Sequence, residues 1–306
     1  MKASRLAAFS LSPPGHQRGI ALVIVLWILL LVTISTGAYT LMARMDQLEA
    51  HTVISSTRAR MAAESGINLA VLSLRDPDEL NRLIPDGRPY AFQVQDIFVE
   101  IEVTDERGKV DINSVNEQTL LQLLQGHGLQ AGDAEYLAAA ILDWVDVDEI
   151  ERASGAELPA YESAGLGVGP ANRPFVMIEE LLQVLGMPWD LFKKMEPGLT
   201  VFSKLGVPDA AYAPLEALLA IPDMTEEDAL NFIAERQSED ASGGMGATLP
   251  NGQVAVARGR GLTYSVLAKA TLPNGIWDQV EATIRLGGGG DGRPYTVLKW
   301  QEGFHN

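Results

Sequence analysis

The chain has 306 residues, enough for a membrane segment and one or two globular domains, and carries 40 Asp and Glu against 23 Lys and Arg, a formal net charge of -17. Such acidity opposes binding to nucleic-acid phosphates or anionic lipid headgroups and suits cations or protein partners. The absence of cysteine excludes disulfides, zinc–thiolate sites and thiol nucleophiles.

Residues 1–19 hold Lys2, Arg5 and Arg18 with no acid, and the next charged side chain is Arg44. Residues 20–43 supply the apolar run of about 20 residues that a helix needs to cross a hydrocarbon core. The basic leader predicts a cytoplasmic N-terminus, with everything beyond Arg44 on the other side. Three fates fit this segment: a signal peptide cut after a small-residue site such as Thr36-Gly37-Ala38, a plain anchor, or the first half of a longer helix. The last is suggested by residues 42–74, which lack proline and keep apolar residues at Leu48, Ile54, Met61, Ile67, Val71 and Leu74. Gly66 is the weak point of that outer stretch. The predicted helix therefore spans 20–75.

Asp76-Pro77 and the run Pro85 to Pro89 read as turns, and residues 90–104 alternate as a strand, with Ile97, Val99, Ile101 and Val103 opposite Glu100 and Glu102. Strand patterns return at 262–272, 277–286 and 295–300, joined by Pro273-Asn274-Gly275 and by the glycine run beginning at Gly287. Between them the period is helical, at 116–125, 131–144, 178–185, 214–219 and 226–236. The predicted class is α+β: a long N-terminal helix, a small antiparallel sheet split in sequence, and a large all-helical insertion. The insertion contains helix-hairpin-helix or SAM-like units. The implied segments are a leader (1–19), the helix (20–75), a sheet body (76–107 and 255–306) and the insert (108–254). Glycine-rich stretches at 243–246 and 287–290 are expected to be mobile.

A basic leader ending in Gly19, followed by a long helix that is apolar and then amphipathic, resembles the type IV pilins and pseudopilins. That resemblance implies cleavage by a prepilin peptidase between Gly19 and Ile20, with methylation of the new N-terminus as a family feature. The family usually carries a glutamate at the fifth mature position, where this chain has Ile24. A bilayer carboxylate is costly unless paired, and its partner is thought to be the terminal ammonium of a neighbouring subunit. A subunit at a filament tip has no neighbour above it to supply one. The missing glutamate resembles the K-type minor pseudopilins of type II secretion, as do "DERGKVDIN" (105–113), "LDWVDVDE" (142–149), "GAELPAY" (155–161), "IEELLQVLGM" (178–187) and "PYTVLKW" (294–300). The resemblance implies a non-enzymatic subunit that caps the pseudopilus tip and helps nucleate its assembly for protein export across the outer membrane. The implied partners are the other minor pseudopilins, subunits H, I and J, and its implied place is the inner membrane, single pass, with a periplasmic C-terminal region.

The densest acidic cluster is Asp143, Asp146, Asp148, Glu149 and Glu151, followed by Glu157 and Glu162. Grouped carboxylates on an irregular loop are what Ca²⁺ coordination uses, although a solvated acidic loop has the same composition. An EF-hand is excluded, because counting Asp146 as its first position places Glu151 where the loop needs glycine. The resemblance favours calcium, with Asp146, Asp148 and Glu157 as the leading candidates, then Asp143, Glu151 and the backbone carbonyl of Tyr161.

Two segments, 112–141 and 214–236, read as helix-hairpin-helix units. Asp223 stands at a hairpin position that phosphate-binding versions give to glycine, so packing is the expected role despite Gly126-His127-Gly128 in the first unit. Nucleic acid is not an expected partner. The four histidines, His16, His51, His127 and His305, are scattered, and no nucleophile, triad or phosphate-loop spacing occurs. Trp189, Trp277 and Trp300 are expected in the core or an interface. The alternative to the filament role is a single-pass or secreted calcium-dependent binding protein. A membrane-anchored DNA-uptake factor comes third, and it requires a basic hairpin surface.

Overall fold

The structure is a computed structural model that describes residues 18–238, 247–250, 252, 254, 255, 257, 259, 261–287 and 292–303. The leader up to residue 17, His16, His305 and the glycine stretches 243–246 and 288–290 lie outside the described residues. The chain divides into two compact units, 1–55 and 56–306.

The described part of the first unit is entirely helical and belongs to α1 (Arg18–Leu74). The bond between Gly19 and Ile20 falls within the first turn of α1. From Ile20 to Met42 its large apolar side chains are exposed, including Ile24 at 52%. Three threonines in this stretch return their hydroxyls to the helix itself: Thr33 donates to the Leu30 carbonyl, Thr36 to Val32 and Thr40 to Thr36, each at 2.8 Å. Hydroxyls satisfied this way leave no bare donor for a hydrocarbon environment, and α1 is long and apolar enough to cross a membrane.

In the second unit, the last turns of α1 pack on a five-stranded antiparallel sheet. Its strands are β1 (Asp86–Val94), β2 (Ile97–Asp105), β5 (Thr263–Thr271), β6 (Trp277–Leu286) and β7 (Tyr295–Glu302), in that order across the sheet. A short parallel pair, β3 (Val110–Asp111) and β4 (Leu199–Thr200), lies in sequence between β2 and β5. Alternate residues of the large sheet, among them Val99, Ile101, Val103, Val266, Ala268, Ala270, Val280, Ala282 and Ile284, face Ala59, Ala63, Ile67, Ala70, Val71 and Leu74 of the helix. The helix face is mostly small, which lets it approach closely. Gly66 marks the tightest point: a Cβ there would lie 2.8 Å from Ala268 Cβ and 3.1 Å from Val99 Cγ1. The residue that looks like a weak point in the sequence is a packing requirement.

Two strand expectations need correction. The run 90–104 is a hairpin, with Val94 paired to Ile97 across Gln95, whose φ is 58°. Alternation on both arms hides the turn, because Gln95-Asp96 lacks the glycine that usually marks one. Residues 86–89 belong to β1, and the turn chemistry of Pro85 to Pro89 serves an irregularity between Asp86 and Pro89 with Gly87 at φ 82°.

The second core is helical and gathers α2 (Glu117–Gly126), α3 (Ala131–Val145), α4 (Leu158–Ser163), α5 (Trp189–Met195), α6 (Leu215–Leu218) and α7 (Glu226–Arg236). Asn116 caps α2, accepting from Thr119 N at 2.9 Å, and Thr225 with Asp228 forms a capping box on α7. The predicted helix at 178–185 is a 3-10 segment, Ile178–Gln183, because the chain extends again at Val184 before Gly186 and Pro188. α5 has no counterpart in the sequence pattern, being too short to show a period. Trp189, Trp277 and Trp300 are not core residues; each is at least 36% exposed, with Lys193 over Trp189 and Lys269 over Trp277.

The segment 105–113 joins sheet and insert with every acid engaged. Asp105 accepts from Arg107 and from Gly261 N, and buried Glu106 accepts from Ser265 Oγ at 2.6 Å and from Thr200 Oγ1 while pairing with Lys109. Asp111 accepts from Lys204 N at 2.7 Å, and Asn113 exchanges two hydrogen bonds with Phe175. Buried Arg236 closes the junction from α7, donating to the carbonyls of Ala210, Ala213 and Asp86.

Candidate metal centre

The acidic cluster is built where α3 ends and α4 begins. Asp143 sits in the last turn of α3 on its buried side, next to Trp144, which stacks on Phe175 with ring centroids 6.0 Å apart. Asp146 is the C-cap of α3 and Glu157 the N-cap of α4, so the two helix ends fix the backbone from which both carboxylates project. Between them the chain folds back on Asp143, whose Oδ2 accepts from Ala156 N at 3.0 Å and Arg152 N at 3.3 Å. Gly155 makes this return possible, because a Cβ at that position would fall 1.9 Å from Asp143 Oδ2. The glycine of the "GAELPAY" segment is thus required by the carboxylate of "LDWVDVDE".

Arg152 donates from one nitrogen, Nη1, to Asp143 Oδ1 at 2.8 Å and to Asp146 Oδ2. Its pKa is raised by the hydrogen bonds to Asp146 and then Asp143. Two carboxylate oxygens remain buried without a hydrogen-bond partner, Asp146 Oδ1 and Glu157 Oε1. Burial pushes the Glu157 carboxyl above its ordinary value, and the charges of Asp143, Asp146, Asp148 and Glu149 push it further.

Of the six predicted ligands, the structure draws Asp143, Asp146 and Glu157 toward one another. Asp148 and Glu151 are exposed, and Asp148 spends Oδ1 on Ile150 N at 2.9 Å. The Tyr161 carbonyl accepts from Ala164 N and Leu166 N, while its hydroxyl accepts from Leu185 N at 3.0 Å. Among the described residues no three acidic or histidine side chains converge in an arrangement ready to hold an ion. The donor chemistry nevertheless fits calcium, with three hard carboxylates and two orphaned buried oxygens. The residue that sequence reasoning missed is Arg152. Its signal was a lone base among seven acids between 143 and 162.

The hairpin between α2 and α3 is a packing device. His127 Nδ1 lies 2.8 Å from the Leu123 carbonyl, and burial pulls the imidazole below its usual pKa. A Cβ on Gly126 would fall 2.9 Å from Leu219 Cβ. This glycine locks the first hairpin against the second, and no basic surface surrounds it among the described residues.

Residues 79–204, which include this site and the junction motif, match the family model described as type II secretion system (T2SS), protein K. A type II secretion system protein K from Klebsiella pneumoniae is 30% identical over 204 residues, covering 60% of this chain and 62% of that protein. The chain is thus similar to type II secretion system protein K, and it spans a little under two thirds of the length of that relative. Another protein K, from Pectobacterium carotovorum subsp. carotovorum, is 25% identical over 72% of this chain and 76% of its own length. Among solved structures, one chain of the GspK-GspI-GspJ complex from enterotoxigenic Escherichia coli has the same fold, with TM-score 0.52 and 18% identity over 85% of this chain and 99% of that one. The α+β fold with a long apolar helix agrees with that structural likeness.

Proposed function

We propose that the chain is a minor pseudopilin that sits at the tip of the type II secretion pseudopilus and helps start its assembly. The observation that carries this reading is α1: a helix that is apolar and internally satisfied through its first turns, and whose later turns bury a small-residue face on an antiparallel sheet. Such a helix serves first as a membrane span and then as a packing element among partner helices. The reading places the N-terminus in the cytoplasm, the span in the inner membrane and the sheet and insert in the periplasm.

On this reading a prepilin peptidase releases the leader at the bond between Gly19 and Ile20. Ile24 then removes the need for a neighbour's ammonium above it, which suits a terminal subunit. The insert supports the same position, since its bulk would obstruct repeated stacking in a uniform filament. Partners of this chain are the other minor pseudopilins, subunits H, I and J; in the similar Escherichia coli complex, GspK is found with GspI and GspJ.

Calcium has a structural role in this reading. Asp143, Asp146 and Glu157 would hold it, and a bound divalent ion would add positive charge to a cluster in which Arg152 reaches only Asp143 and Asp146. The site therefore ties the end of α3 to the start of α4.

Mass spectrometry of the protein recovered from membranes tests the assembly route. A mature chain starting at Ile20 is expected. A start near Tyr39 or Leu41 would instead identify signal-peptidase cleavage and a secreted calcium-binding protein.

A further inference from the structure

The acidic loop carries its own cation. Arg152 is anchored through its backbone N–H to Asp143 Oδ2, and its guanidinium returns to Asp143 Oδ1 and Asp146 Oδ2. Asp143 is fully buried, and a buried carboxylate with no compensating charge is strongly destabilising. The Arg152 side chain is 40% exposed, so it can swing into water without crossing the core.

The compensation is nevertheless incomplete, since the guanidinium bonds only Asp143 and Asp146, while Glu157 is a third carboxylate of the cluster. Glu157 is 4% exposed, with Oε1 unpartnered, and Asp146 Oδ1 is in the same state. A divalent, oxygen-seeking cation would satisfy these orphaned oxygens and bring a second positive charge. It cannot also bind Asp143 Oδ1 and Asp146 Oδ2 while the guanidinium holds them.

We propose that Arg152 is a built-in competitor of the metal: it holds the loop 146–157 closed on Asp143 and Asp146 when no ion is bound, and Ca²⁺ enters by displacing it. The proposal rests on the calcium reading of this loop and adds its consequence for affinity. Arg152 weakens calcium binding, and in exchange the insert stays folded when calcium is scarce.

Calorimetric titration of CaCl₂ into the full-length protein in detergent micelles tests this, alongside thermal melts in chelator. Arg152→Gln is expected to bind calcium about tenfold tighter than the wild type, and to melt at a lower temperature in chelator but not in calcium. Arg152→Lys, which keeps the charge, should fall between the two and serves if the glutamine variant does not fold. Binding by the variants alone would also support the competitor, as a wild-type loop held shut. Equal or weaker calcium affinity in a folded variant, with the wild type binding normally, would overturn the competitor role and leave the calcium site standing. No binding by any of the three would overturn both.

Discussion

Glu157 concentrates the conflict within the acidic loop. It is nearly buried, has one oxygen without a partner, and its carboxyl is pushed upward by burial and by four neighbouring acids. A group raised in this way costs stability once the pH exceeds its ordinary carboxylate range, because the folded protein must then hold a charge that the unfolded chain carries freely. Glu157→Gln keeps the shape and removes the charge. In chelator the variant should melt about 2–4 °C higher than the wild type, corresponding to roughly 1 kcal/mol for a domain of this size. It should also lose the calcium-dependent rise in melting temperature. A variant that melts lower in chelator and still responds to calcium would show that the Glu157 charge neither costs stability nor holds the ion. The acids stood out in the sequence as a cluster, but which of them turn inward depended on two helix ends and on Gly155, whose spacing from Asp143 has no periodic signature.

At the scale of elements, the close approach of α1 to the sheet depends on a glycine that helix propensity alone would disfavour. Valine at position 66 would drive its methyls into Ala268, Val99 and Ile101, the atoms nearest the missing side chain. Gly66→Val should cost about 2–3 kcal/mol in denaturant unfolding, at the upper end of the usual overpacking penalty. Ala268→Gly should recover part of that loss. If the two changes are additive, the residues do not touch. The sequence made the long elements plain, since α1, α3, α7 and the three C-terminal strands each show several repeats of a clear period. It failed where an element is too short to repeat its period clearly, as in α5 and the β3–β4 pair, and at Gln95, where a turn interrupts two strands that share one alternating pattern. It also left the junction unread: Glu106, Asp111 and Arg236 are buried charged residues with partners 159, 93 and 23 positions away, and no local pattern announces such pairings.

At the scale of the whole molecule, the insert and the sheet have separate cores, yet buried polar groups bind them together. Glu106 bonds to β5, and Arg236 reaches from α7 to Asp86 of β1. A connection of this kind would suit the tip position proposed above. The central proposal is that this chain assembles with minor pseudopilins. Its most direct test is native mass spectrometry of the complex extracted in detergent from the bacterium that makes it. One copy of this chain, starting at Ile20, is expected in a stable assembly with subunits I and J. Recovery of the chain alone, or in a repeating homo-oligomer, under conditions that keep those partners together would contradict it.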